Sequence, residues 1–231
     1  MRRGGMPDLA HLILYGEGPM WGPVQRDEAL LLHGLVRVVR PRTVVEIGFL
    51  HGHSALNFLL ALDPEARLYS FDIDPDCTDI AKRRFGHDPR FRFQLRSQDA
   101  VTAEDLDGRT ADFVFIDAGH ALELNQATFA RLLPLLSERA IVAIHDTGGI
   151  PRDLLGFVEG QDHWMLEKPE IWAGDEWEHQ PGERAFVNWI LQEHPEFAQI
   201  HLHSRQVMRG GLTLLQRGGP LPRPPGAIGT E

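Results

Sequence analysis

The sequence predicts an α/β protein: a doubly wound, Rossmann-like sheet of seven strands, the last one antiparallel, with helices on both faces. Short apolar runs (TVVEI, RLYSFDID, ADFVFIDAGH, AIVAIHDTGG) alternate with amphipathic segments of ten or so residues. Such alternation builds βαβ units, and hence a parallel sheet covered on both sides. The first run passes through two glycines four apart, Gly48 and Gly52, straight into a helical pattern. Two late runs, QIHLHS and GGLTLLQR, read as closing strands that can pair as an antiparallel hairpin.

The elements follow in order. Residues 24–39 carry apolar positions at Leu31, Leu35, Val38 and Val39, a helical stripe that Pro41 ends. Residues 1–42 are expected to form an N-terminal segment and helix that cover the ligand end of the sheet. Strand one spans 43–47 and the helix after the glycine turn about 54–62. Strand, helix, strand and loop follow in RLYSFDID, DCTDIAKRRFG and FRFQLRSQDA; then come strand, helix and strand in ADFVFIDAGH, NQATFARLLPLL and AIVAIHDTGG. Residues 151–181 break the rhythm with a loop-like insertion rich in tryptophan and acids, before a helix in ERAFVNWILQEH. The main domain is expected over 43–217, and 218–231 has the Pro/Gly content of a tail without a core.

Bulk properties narrow the function classes. A chain of 231 residues suffices for one main domain, which would bury roughly 70–75% of its unfolded surface. The net charge of −10 argues against a nucleic-acid partner, because such binding rests on a basic surface. No run approaches the ~20 apolar residues of a membrane span. The lone Cys77 makes no internal disulfide, and MRRGGMPDLAHLILYG lacks a signal peptide's apolar region; a cytoplasmic location is expected. The oligomeric state, a homo-oligomer included, is left open.

In open parallel sheets, ligands sit beyond the carboxyl ends of the strands, and the first βα turn usually lies there. Gly52 is followed by His53 and Ser54, so the lysine of a phosphate-cradling loop is missing. The spacing Gly48–Gly52, with Phe49 and Leu50 inside, is also not the G-x-G-x-x-G of dinucleotide binders. Glu46, an acid near the end of an apolar strand, is costly to bury alone and suits a cationic ligand. Asp72, at the end of the second strand, can accept hydrogen bonds from ribose hydroxyls. A plainer reading stays open, in which Glu46 pairs with a helix end and Asp72 caps the helix after Pro75.

VVEIGFLHGHS resembles the first motif of class I S-adenosylmethionine-dependent methyltransferases, and LYSFDIDPDCTDIA resembles their second strand with its ribose-binding acid. LRSQDA is similar to the adenine-side loop of the small metal-dependent, catechol-type O-methyltransferases. The likeness covers roughly residues 20 to 150 and rests on the order and spacing of the motifs. It implies S-adenosylmethionine as cofactor, with Glu46, Gly48, Phe49, Gly52, Ser54, Asp72, Asp117 and the loop residues Ser97, Gln98 and Asp99 around it.

A second constellation lies downstream. Asp117 ends one strand, and His145 and Asp146 end the next. If these strands are neighbours their ends are about 5 Å apart, close enough for both acids to grip one ion. Carboxylates suit Mg²⁺, whereas a histidine in the shell makes Mn²⁺, Fe²⁺ or Zn²⁺ more competitive. In the family the resemblance names, these positions hold a divalent metal, usually with a carboxylate where this chain has His145. IDAGH and IHDTGG are closer to segments of the related cephalosporin-hydroxylase-like and sugar O-methyltransferase proteins. His120 stands where the catechol-type enzymes carry their proton-accepting lysine, and an imidazole with a pKa near ~6.5 serves that role at neutral pH. Helix capping, or a third metal contact, remains open for His120.

His51 and His53 read as ligand-contacting or exposed loop residues, and His201 and His203 as solvent-facing partners on one strand face. Trp164, Trp172 and Trp177 lie among acids in the insertion, where aromatic faces would stack on a sugar or aryl acceptor; pinning of a solvated loop is the other reading. The expected activity is methylation of a hydroxyl on a small metabolite, a sugar or natural-product scaffold. A metal-independent N-methyltransferase of an amino sugar and a non-catalytic nucleoside-binding module are the alternatives.

Overall fold

The computed structural model describes residues 9–14, 24–148, 172–173, 180–202 and 211–218. Seven strands form one sheet: β1 (Thr43–Ile47), β2 (Arg67–Asp72), β3 (Phe91–Leu95), β4 (Ala111–Ile116), β5 (Leu136–His145), β8 (Phe197–Leu202) and β9 (Leu212–Arg217). Their order is β3-β2-β1-β4-β5-β9-β8. β1 to β5 pair in parallel, while β9 runs antiparallel to both β5 and β8. The last strand is therefore the antiparallel one, and β8–β9 is the closing hairpin. Two short strands, β6 (Trp172–Ala173) and β7 (Gln180–Pro181), pair separately.

Every residue of β1 is buried, as a central parallel strand with helices on both faces requires. Val44, Phe113, Phe115 and Ala143 pack on one face with α1 (Arg26–Val39), α2 (His53–Ala61) and α3 (Asp76–Phe85). Val45, Ile47, Val114, Ile116 and Ile144 pack on the other with α4 (Leu122–Leu132) and α5 (Gly182–Glu193). Period-two alternation along each strand thus feeds two hydrophobic layers. Strand order reverses between β1 and β4, so the loops after these strands flank the crevice where such folds take ligands.

The register expected for α1 is corrected. Leu31 and Val38 are 38% and 82% exposed, whereas Ala29, Leu32 and Val36 are fully buried. The stripe contains two polar residues, Glu28 and His33, and a search for apolar periodicity passes over both. Asn57 of α2 explains part of this choice: its side-chain amide donates to Ala29 O at 2.9 Å, and its backbone carbonyl oxygen meets His33 Nδ1 at 3.3 Å. His201 is also corrected: it is half-buried, with Nδ1 2.5 Å from Thr213 Oγ1 and Nε2 taking the Arg184 guanidinium at 2.7 Å. His203 lies outside the described residues.

No helix among the described residues is long and apolar enough to cross a membrane. Cys77 is free and buried.

Candidate active site

The glycine turn is fixed by backbone geometry. Gly48 has φ +95°, and a Cβ there would lie 1.9 Å from the Asp117 carbonyl oxygen. That close approach draws the loops after β1 and β4 together, and only glycine permits it. Gly52 has φ +70°, with the Phe49 and Phe85 rings 2.7 Å from where its Cβ would stand. Gly48, Phe49, Leu50, His51, His53, Ser54 and Asp117 line a small cleft over this turn.

Glu46 lies behind the cleft and is fully buried. Its Oε2 accepts from Ser70 Oγ at 2.5 Å, while Oε1 has no hydrogen-bond partner among the described residues. Burial pushes its pKa up to about 8, against the pull of the Ser54 and Ser70 hydroxyls. Ser54 stands in the first turn of α2, so Glu46 also meets a helix end, in line with the plainer expectation. Asp72 does more locally than its strand-end position conveys. Its Oδ2 accepts the N–H groups of Phe49 and Leu50, each at 2.9 Å, and Oδ1 that of Asp74 at 3.0 Å. Burial alone would raise the Asp72 pKa, but these and the Ile73 N–H hold it below the usual range. The carboxylate therefore fastens the glycine turn, while Asp74, rather than Asp72, accepts from Asp76 N at the start of α3.

In the loop after β3, Ser97 bonds to Asp99. Gln98 is buried and fully engaged: its amide donates to Asn125 Oδ1 (2.9 Å) and Thr128 Oγ1 (2.8 Å), and its oxygen accepts from Gly119 N (2.8 Å). Gln98 thus ties this loop to α4 and to the turn after Asp117.

The ends of β4 and β5 are adjacent and bring the second constellation together. Ile116, Asp117, Gly119, His120, Ile144, His145, Asp146 and Glu183 are among the residues that line one pocket. His145 Nδ1 lies 3.2 Å from Asp117 Oδ1 and 3.3 Å from Asp146 Oδ1. Its Nε2 lies 2.8 Å from Glu28 Oε2. Burial alone would lower the His145 pKa; the Asp117 and Asp146 carboxylates outweigh that and hold it well above the ordinary imidazole value. Burial likewise opposes ionisation of Glu28, but its bonds to His145, Gln25 and Gly211 keep its pKa below the usual carboxylate range. Asp146 has φ 57°, a left-handed conformation uncommon outside glycine that turns its carboxylate back beside His145.

One donor atom each from Asp117, His145 and Asp146 lies within 4.8 Å of the others, and the same holds for His120, Asp146 and Glu183. A buried imidazole flanked by two carboxylates matches the donor chemistry of a divalent cation, so the residues fit a metal. His120 Nδ1 meets Glu183 Oε1, and Glu183 is buried at the start of α5. Glu28 and Glu183 belong to this site although sequence reasoning passed over both. Each sits in the first turn of a helix, where acids are common for electrostatic reasons alone. The one signal was Glu28's spacing from Gln25, which closes a capping box.

Trp164 and Trp177 lie outside the described residues, and of Trp172 only the backbone, in β6, is described.

Residues 45–147 match a family model described as a methyltransferase domain. The chain is 32% identical over 129 residues to Tapetum-specific methyltransferase 1 of Arabidopsis thaliana, covering 52% of this chain and 53% of that protein. It is 27% identical over 128 residues to Caffeoyl-CoA O-methyltransferase 1 of Arabidopsis thaliana, covering 52% and 49%. The chain thus spans about half the length of the curated relatives it matches. Its fold is similar to that of the O-methyltransferase from Bacillus cereus solved in complex with SAH, with a TM-score of 0.63, 18% identity and coverage of 86% and 84%.

Proposed function

We propose that this chain is a class I S-adenosylmethionine-dependent methyltransferase of the catechol type, and that it methylates a hydroxyl of a small metabolite, a sugar or natural-product scaffold, with help from a divalent metal; the match to a methyltransferase domain and the likeness to a caffeoyl-CoA O-methyltransferase support this. One observation carries the reading: Asp117 lines both the cleft over the glycine turn and the imidazole–carboxylate pocket. A methyl donor in the first and an acceptor oxygen in the second would meet across one side chain.

S-adenosylmethionine supplies, when bound, a methyl group on a positively charged sulfur. Glu46 favours that cofactor's charged amino-acid portion: a buried carboxylate with an unsatisfied oxygen beside the cleft is stabilised in its ionised form by a nearby cation. Asp72 holds the turn in shape and would accept from the ribose hydroxyls, and Ser97, Gln98 and Asp99 would lie around the adenine. Asp117, His145 and Asp146 would hold a divalent ion, which supplies positive charge that orients an acceptor hydroxyl and lowers its pKa.

His120 receives the acceptor's proton. Glu183 accepts a hydrogen from Nδ1, which selects the tautomer whose basic nitrogen is Nε2. The other contribution of the chain is alignment, because methyl transfer is an in-line displacement whose barrier falls with correct placement. The tryptophans of residues 151–181 would stack on the acceptor.

Calorimetry with S-adenosylmethionine, with and without EDTA, tests cofactor and metal together. His120→Ala is expected to keep cofactor binding and lose turnover, and Asp117→Ala, which changes both the cleft and the pocket, to lose turnover. Chelator-insensitive turnover would favour the metal-independent N-methyltransferase. Saturable cofactor binding without turnover across an acceptor panel would favour a nucleoside-binding module.

A further inference from the structure

The geometry points to Glu28 as a positioning residue that presents His145 to the metal through Nδ1, so that the site takes a nitrogen-preferring transition ion of the Co²⁺ or Zn²⁺ type in preference to Mg²⁺. The inference rests on the metal reading above.

Glu28 sits on α1, 117 residues before His145, and its side chain is only 8% exposed. Three donors hold its carboxylate. Oε1 accepts from Gly211 N at 3.1 Å, at the entry to β9, and Oε2 from Gln25 N at 3.2 Å and from His145 Nε2 at 2.8 Å. The carboxylate is thereby fixed to α1, β5 and the β9 entrance together. An ionised carboxylate only accepts, so Nε2 carries the hydrogen. With Nε2 keeping its hydrogen, the nitrogen left to give up its proton and bind a metal is Nδ1, the atom beside Asp117 Oδ1 and Asp146 Oδ1. A carboxylate on the far nitrogen of a metal-binding histidine fixes ring orientation and raises basicity, and its removal typically costs about 10–100-fold in metal affinity.

The donor set at that point is one imidazole nitrogen and two carboxylate oxygens. Mg²⁺ prefers all-oxygen surroundings and keeps its waters, whereas imidazole nitrogen favours the later first-row ions. The Glu28, Asp117 and Asp146 carboxylates around one imidazole also leave a net negative pocket whose charge a divalent ion would largely offset.

The test measures Co²⁺ and Mg²⁺ binding by calorimetry on the full chain, with the Co²⁺ visible spectrum as a second readout. Wild type is expected to bind Co²⁺ at least ~100-fold more tightly than Mg²⁺. Glu28→Gln should weaken Co²⁺ by about 10–100-fold and alter the spectrum. His145→Asp, an all-oxygen site, should narrow the gap between the two ions, and adding Glu28→Gln to it should leave Mg²⁺ affinity unchanged. Equal wild-type affinities for the two ions, or Co²⁺ affinity indifferent to Glu28→Gln, would overturn the inference and leave the metal reading standing. A loss of Mg²⁺ affinity in the double variant would give Glu28 a merely structural role and also overturn it. Methyl transfer that persists in EDTA, with no ion bound to wild type, would remove the metal reading and the inference together.

Discussion

Glu46 combines full burial with a pKa near 8, so its ionisation couples to folding. Unfolded, the carboxyl titrates near 4.5; folded, it keeps its proton until about pH 8. The folded state therefore binds the extra proton between these values, and stability falls as pH rises through the window, by on the order of 4–5 kcal/mol at most. Urea midpoints measured from pH 5 to 9 should show that decline in wild type and a much flatter profile in Glu46→Gln, which should also bind S-adenosylmethionine more weakly. For His120→Ala the expected result is a kcat lower by about 10²–10⁴ with little change in cofactor Kd. Glu46 was legible because an acid near the end of an apolar strand stands out, and His120 from its place three residues after Asp117, where the resembled enzymes carry their lysine. Glu28 and Glu183 were not: their partners lie 117 and 63 residues away, and an acid in a helix's first turn looks the same whether it meets solvent or a buried imidazole.

At the scale of elements, the turn from β1 into α2 leaves little room for change. Gly48→Ala places a methyl group against the Asp117 carbonyl at a positive φ and is expected to cost roughly 2–4 kcal/mol. Thermal melts should show the loss, and cofactor binding should weaken with it, since the same clash separates the loops that carry Asp117 and the cleft. Helix α1 is held differently, by a buried amide. Asn57→Ala removes the donor to Ala29 O and should destabilise the chain by about 1–3 kcal/mol. Asn57 also bears on the α1 register through its backbone carbonyl, which meets His33. Leu31, Leu35, Val38 and Val39 form a consistent apolar stripe in the sequence, but α2 offers hydrogen bonds that only the face bearing His33 can answer. Strands were easier to place because burial on both faces writes an unbroken apolar run, whereas a helix shows only a stripe whose phase depends on its partner.

At the scale of the whole molecule, sheet order converts chain distance into proximity. The reversal between β1 and β4 sets the glycine turn beside Asp117, and the β4–β5 pairing sets His145 and Asp146 beside it in turn. Doubly wound topology was readable from the alternation of strands and helices, and the closing hairpin from its two late runs. Of the helices that complete the site, α1 was expected to cover the ligand end of the sheet and α5 was legible only as a helix; in neither did the sequence single out the acid that enters the site. The comparisons agree at this scale, matching residues 45–147, the stretch that carries both strand-end constellations. The proposed function requires a nucleoside cofactor in the cleft over the glycine turn, its reacting end toward Asp117. A crystal structure of the full chain soaked with S-adenosylhomocysteine tests it most directly. The predicted result is ligand density bounded by residues 48–54, its sulfur facing the pocket of Asp117 and His120. An empty cleft at saturating ligand, or density for the nucleoside elsewhere on the chain, would contradict it.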